Sequence, residues 1–239
     1  MSTDAIVGYM KRCMVIVLSI VVLVGCKSTS TQTENKTQQL QNALLTAVTE
    51  ASESVPATLH ASLQTKDLLP PESLVLLEQK QIPRLDEYLK VWQQQVILAF
   101  RKTTIKIPDL LKPYIEQLQI NNPQQLLRSS NSSVSALLNA QFGIQIIGSV
   151  QLLLANELTE SQKTYEAIYD RYSIWSKGKG LLGEEALPQI AKFPTAHLAT
   201  IFVELYLKQL SQEESDIRTT PVPQGTGSVY EIFQQELQP

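Results

Sequence analysis

The chain has 239 residues, with 20 cationic against 23 acidic side chains and a formal net charge of −3. So mild an acidity excludes nucleic-acid binding by the bulk field, and two cysteines are too few for a disulfide framework or a thiolate metal site. Scarce glycine and 6% aromatics, beside abundant Leu and Gln, favour helices over a β-sandwich or barrel.

The first element is a leader. Lys11 and Arg12 precede the apolar run Cys13–Val24, and Leu23-Val24-Gly25-Cys26 closes it. A secretory signal has this order: basic residues, roughly 7–15 apolar residues, then small side chains at the scissile bond. The tetrapeptide resembles the bacterial lipobox. The resemblance implies cleavage before Cys26, a thioether from its sulfur to diacylglycerol, and acylation of the new amine. The span Cys13–Cys26 covers 14 residues, whereas a helix needs about 20 apolar residues to cross a bilayer. Extension through Ile6 and Val7 would bury Lys11 and Arg12, each costing about 2.5–3.5 kcal/mol at the helix centre. Met10 stands directly before Lys11 and is an alternative start.

Each buried methylene of an acyl chain contributes about 0.8 kcal/mol, so several chains on one cysteine anchor a protein without a spanning helix. Asp after the lipidated cysteine often marks retention at the inner membrane. Lys27 stands there instead, which by the same resemblance favours the outer membrane, facing the periplasm. The organisation expected is therefore a signal peptide over 1–25, the lipidated Cys26 with a flexible tether over 26–38, and a helical domain over 39–239. The tether assignment rests on the polar run Lys27–Gln38, which has no apolar side chain to bury.

Leu40, Leu44, Leu45 and Val48 fall at helical spacing and predict a first helix that fades near Ser52–Pro56. Pro70-Pro71-Glu72-Ser73 predicts a helix start, with Leu74, Leu77 and Ile82 turned inward. Leu85, Leu89, Trp92, Val96 and Phe100 make the clearest amphipathic helix, over about 83–103. Another helix starts at Pro108, with Leu111, Ile115 and Leu118 as its stripe; Asn122-Pro123 predicts the cap and first residue of a short one. Ser129–Ser133 reads as a polar turn.

Val134–Leu158 is apolar throughout, and its middle, 143–150, fits a helix or a short strand; helix is favoured because no partner strand is evident. Thr159-Glu160-Ser161-Gln162 has the capping-box pattern, and the helix it opens is expected to stop at Lys177-Gly178, leaving a loop to Pro194. Thr195 then caps a helix containing Leu198, Ile201, Phe202, Leu205 and Leu210, and a last short helix covers about 228–237. The fold class is all-α: one irregular bundle of about seven to nine helices.

Ala43-Leu44, Pro70 with its following helix, Lys163-Thr164-Tyr165 with Tyr172, and Ile217-Arg218 before an end helix containing Phe233 resemble an uncharacterised bacterial family, domain of unknown function 4197. Its members are often secreted or lipid-anchored in the periplasm. The resemblance covers most of the chain beyond the leader and implies a helical fold and a periplasmic setting, with no assigned activity to inherit.

No phosphate loop, nucleotide fingerprint, zinc-protease motif or nucleophile elbow is present. His60 and His197, even with Glu204 or Asp170, fall short of the three or four ligands a metal site wants, so they read as surface or cap-region residues. Glu184-Glu185, Glu213-Glu214 and Asp216 read as solvated faces, because acid–base work needs partly buried carboxyls. Tyr165, Tyr169, Tyr172 and Trp175 could form one wall of an apolar ligand groove, with Ile201, Phe202 and Leu205 as the other; the same spacing suits core packing. The expectation is a non-enzymatic lipoprotein without metal or cofactor. It would be held to the membrane at Cys26 and bind or scaffold an envelope protein, with no role for nucleic acid. The alternative is a binder of a small apolar ligand between helices.

Overall fold

A computed structural model describes residues 34–59, 63–128, 134–185, 187–223, 225 and 228–237. The signal peptide, Cys26, His60 and the turn 129–133 lie outside the described residues. Helix α1 covers 34–58. It is followed by α2 (Thr65–Leu68), a 3-10 helix (Pro71–Glu78), α3 (Leu85–Thr104), α4 (Ile107–Glu116), α5 (Pro123–Arg128), α6 (Val134–Glu157), α7 (Thr159–Leu181), α8 (Thr195–Thr219) and α9 (Glu231–Leu237). The protein is all-α, with no strand among the described residues, and 143–150 lies inside α6. Residues 34–38, assigned by composition to the tether, are already helical; Gln38 Nε2 donates to Asn42 Oδ1 one turn on, at 3.2 Å.

The described chain divides into two compact units. The smaller comprises the chain up to Leu44, Ile120–Arg128 and the chain from Val222. In it α5 packs on α9. Asn122 caps α5 as expected, its Oδ1 accepting the Gln125 N–H at 3.0 Å. Glu236 of α9 is buried and meets Lys36 Nζ at 2.6 Å.

The larger unit, Leu45–Gln119 with Ser129–Pro221, is built on two helix pairs, α6 on α8 and α7 on α3, with α3 also touching α6. Helix α3 follows its sequence pattern: Leu85, Leu89, Trp92, Val96, Ala99 and Phe100 are all buried. Asp86 and Glu87 occupy its first turn and Arg101 and Lys102 its last, both favourable to the helix dipole. Phe100 meets Phe202 of α8 edge-on at 5.1 Å, and Trp92 meets Tyr165 of α7 at 5.2 Å. These aromatic pairs tie α3 to α7 and α8.

Three local expectations are corrected. The segment after Pro70 is a 3-10 helix, in which side chains three apart share a face. Ser73 and Leu76 are therefore buried, while Leu74 and Leu77 are exposed. The end of α7 is Leu181, not Lys177. Of the glycines there, Gly183 has the positive φ, 77°. Its N–H donates to Gly180 C=O at 3.2 Å and the Glu184 N–H donates to Lys179 C=O at 3.1 Å. These are the two bonds of a Schellman stop. The Thr159–Gln162 capping box does not form: the Gln162 N–H already reaches Leu158 C=O at 2.8 Å, and Thr159 Oγ1 donates back to Asn156 C=O. With Leu158 alone between α6 and α7, the helical ladder barely breaks, and a side-chain cap has no free amide to serve.

Candidate functional site

The seven side chains expected to wall a ligand site do not converge. Tyr165 is fully buried between Trp92 and Phe193, with its hydroxyl 3.1 Å from Ser73 Oγ and 3.3 Å from Ala191 C=O. Tyr172 is buried and donates to Pro188 C=O at 2.6 Å. These two tyrosines clamp the irregular segment after α7 to the helix. Phe202 fills the space between Phe100 and Tyr206. Tyr169, Ile201 and Leu205 are half-buried. Since α7 packs on α3 and α8 on α6, the two presumed walls belong to different helix pairs. Of the seven, Trp175 lines the groove at the end of α7.

Burial raises the phenol pKa of Tyr165 and Tyr172, and lifts Tyr206, which donates to Ser52 C=O at 2.8 Å, well beyond the ordinary range. Below about pH 10 the folded and unfolded chains hold these protons equally; above it the unfolded chain releases protons that the folded chain keeps. Stability should therefore fall as pH rises past that point. Tyrosinate absorbance should show these three phenols ionising above the ordinary phenol pKa, Tyr206 last; one common step near the ordinary phenol pKa in the folded chain would contradict this.

Glu214, expected on a solvated face, is fully buried. One carboxylate oxygen accepts the Val134 N–H and the other the Ser135 N–H, both at 2.9 Å, and Ser135 Oγ–H also donates. Arg218 Nε lies 3.5 Å away. The carboxylate of α8 thus caps α6, satisfying amides that have no partner within their own helix. Its sequence position, four residues after Leu210 on the stripe that includes Val203 and Leu207, was the available signal. This carboxylate is structural. His197 is half-buried, and no group of three or more His, Cys, Asp or Glu able to hold a metal occurs among the described residues.

Two surfaces among the described residues carry exposed apolar side chains beside a groove or furrow. The first is the outer face of α6. Ala136, Ala140, Ile144, Gly148 and Leu152 recur every four residues and all are exposed. Ile144 is 87% and Leu152 75% exposed. Asn139, Gln145 and Asn156 are the polar residues among them, and no charged residue occurs from Val134 to Asn156. The stripe runs about 24 Å along the helix. By length and composition α6 could cross a membrane, with a mean hydropathy of 1.4 over 18 residues; here one face packs within the unit and the other is uncovered. Beside it, a furrow of about 420 Å³ between α6 and α8 is edged by Glu204 and Lys208.

The second surface is a groove of about 530 Å³ at the end of α7, walled by Ile82, Pro83, Ile174, Trp175 and Leu182. Arg171 stands at its margin, held by the Tyr88 hydroxyl at 3.0 Å and the Tyr88 ring at 4.4 Å. Arg84, in the left-handed conformation at φ 61°, turns the chain from Pro83 into α3 and pairs with Glu87 at 2.8 Å. Comparison with known proteins finds no matching family model, no similar curated protein and no similar solved structure.

Proposed function

We propose that the chain is a lipid-anchored envelope protein, held at Cys26 in the outer membrane and facing the periplasm, whose folded part binds a protein partner without catalysis. The observation that carries the binding role is the α6 face: a long stripe with no charge, bearing exposed Ile144 and Leu152, beside a core filled by aromatic pairs. Contiguous exposed apolar surface is a mark of interaction sites, and depletion of charge distinguishes the centre of an interface from its rim. The anchor rests on the leader and on Leu23-Val24-Gly25-Cys26. The apolar-ligand reading keeps one supporting observation, the groove beside Trp175; the other six side chains named for it lie outside that groove.

Capture of the full chain from solubilised envelope tests both parts. The wild-type chain should retain a partner that Ile144→Asp loses, and mass analysis should find residues 1–25 removed and Cys26 acylated. Cys26→Ala should lack the acyl groups and keep residues 1–25 attached. Identical captured proteins from wild type and Ile144→Asp would overturn the binding role, and a bare Cys26 sulfur would overturn the anchor.

A further inference from the structure

We infer that the α6 face takes a second copy of this chain, the two α6 helices lying antiparallel about a two-fold axis level with Ile146. The inference rests on α6 as the docking face and names its occupant. Positions 137, 141, 144, 148, 151 and 155 alternate spacings of four and three, which keeps them on one line along the helix. None is buried: Ile144, Gly148 and Ala155 are exposed, and Leu137, Gln141 and Gln151 are half-buried. Gly148 asks for a close neighbour. A glycine inside a helix destabilises it relative to alanine, yet a Cβ built on Gly148 would meet nothing within 4 Å. Packing within one chain therefore gains nothing from the missing side chain, whereas a second helix brought close does.

Symmetry selects the occupant. A two-fold axis level with Ile146 sets Ile144 beside Gly148 of the second copy, Leu137 beside its Ala155, and Gln141 beside its Gln151. Each apolar layer then holds one bulky and one small side chain, and the remaining layers hold two amides that can both donate and accept. A parallel pairing would set Ile144 on Ile144 and Gly148 on Gly148, crowding one layer and emptying the next. Charge agrees. No charged residue occurs from Val134 to Asn156, and the furrow alongside is edged by one residue of each sign, Glu204 and Lys208. Two copies therefore meet without like charges along the seam, although each chain carries a net −3. The seam runs about 27 Å along one helix, which places it with the small, transient interfaces, under about 1,200 Å² in all. Such a pair forms where copies are crowded, as lipid anchors at Cys26 would crowd them on one surface.

The test expresses two differently tagged full-length chains together, one with Ala140→Cys and the other with Leu152→Cys, and adds a short-reach bismaleimide to the membranes. Both positions are exposed. In the antiparallel pair position 140 of one copy lies level with 152 of the other, whereas like positions stand about 18 Å apart along the helix axis. The mixed pair should give a crosslinked dimer. Either variant alone, the wild-type chain, and Gln162→Cys on the exposed side of α7 should not. Gly148→Leu in both chains should raise the denaturation midpoint, because it places a better helix former in open space. It should also cut the mixed crosslink about tenfold, as a bulky side chain forced into a close contact does. Equal dimer yields from each variant alone, a mixed yield no greater than that of Gln162→Cys, or a yield unchanged by Gly148→Leu would overturn the proposal. Crosslinks from positions 144 and 152 to a different protein, with no dimer, would overturn the second copy and leave α6 as a docking face; no product of any kind would defeat both.

Discussion

Replacing Glu214 by Ala is expected to lower folding stability by about 3–5 kcal/mol, the usual cost of removing one partner from a buried charged network. The carboxylate is fully buried and accepts three donors from the first turn of α6. Its loss would leave two amides and the Ser135 hydroxyl without an acceptor, and Arg218 without its counter-charge. It would also remove a negative charge from the positive end of a helix that is central to the larger unit. Glu214→Gln keeps the shape but presents an NH2 group to one of the donors, so its cost should be smaller, about 1–3 kcal/mol. Denaturant midpoints at an unchanged slope would measure both. A loss below about 1 kcal/mol for the Ala variant would mean that water replaces the cap at no great cost.

Trp92→Ala should cost a similar amount, about 3–5 kcal/mol, as large-to-small changes of buried aromatics do. Trp92 is fully buried in α3 against Tyr165, where α3 and α7 pack together. Its indole N–H has no hydrogen-bond partner among the described residues. Trp92→Phe therefore removes volume without breaking a hydrogen bond and should cost well under half as much. Hydrogen exchange should show the Ala variant loosening α3 and α7 first. Equal losses for the Phe and Ala variants would show that the indole edge, rather than aromatic packing, holds the pair.

The long amphipathic helix was legible because a repeated stripe carries its own period: Leu85, Leu89, Trp92, Val96 and Phe100 point inward as spaced. The all-α class followed from the same logic. The fate of 143–150 was less plain, since an apolar run without polar interruption suits a helix or a buried strand equally; absence of a partner strand favoured helix, and the segment lies inside α6. Helix ends were legible where one residue does the work, as at Asn122. They were not where several candidates compete: Gly178, Gly180 and Gly183 look alike in sequence, and Gly183 ends α7 because the chain turns left-handed there. The Pro70 segment was misphased because a 3-10 turn shifts the buried face to Ser73 and Leu76.

The candidate site was less legible than the fold. Tyr165, Tyr172 and Phe202 have the spacing of a groove wall, yet aromatic residues spaced along a helix are also what a core consumes, and tertiary pairing decides between the two. Glu214 escaped notice because an acidic run reads as solvated unless its place on the apolar stripe is weighed. The α6 face was hidden by the opposite effect: its apolar residues all suggested burial, and the packing of α8 along one side shows which of them remain outside.

A photoreactive amino acid placed at position 144 of the full-length chain in living cells tests the account most directly. It should give a discrete crosslinked product with an envelope protein, repeated from position 152 and absent from position 162, which is exposed on α7. No product from positions 144 and 152 beyond that at position 162 would contradict the assignment of the uncharged α6 face as the docking surface.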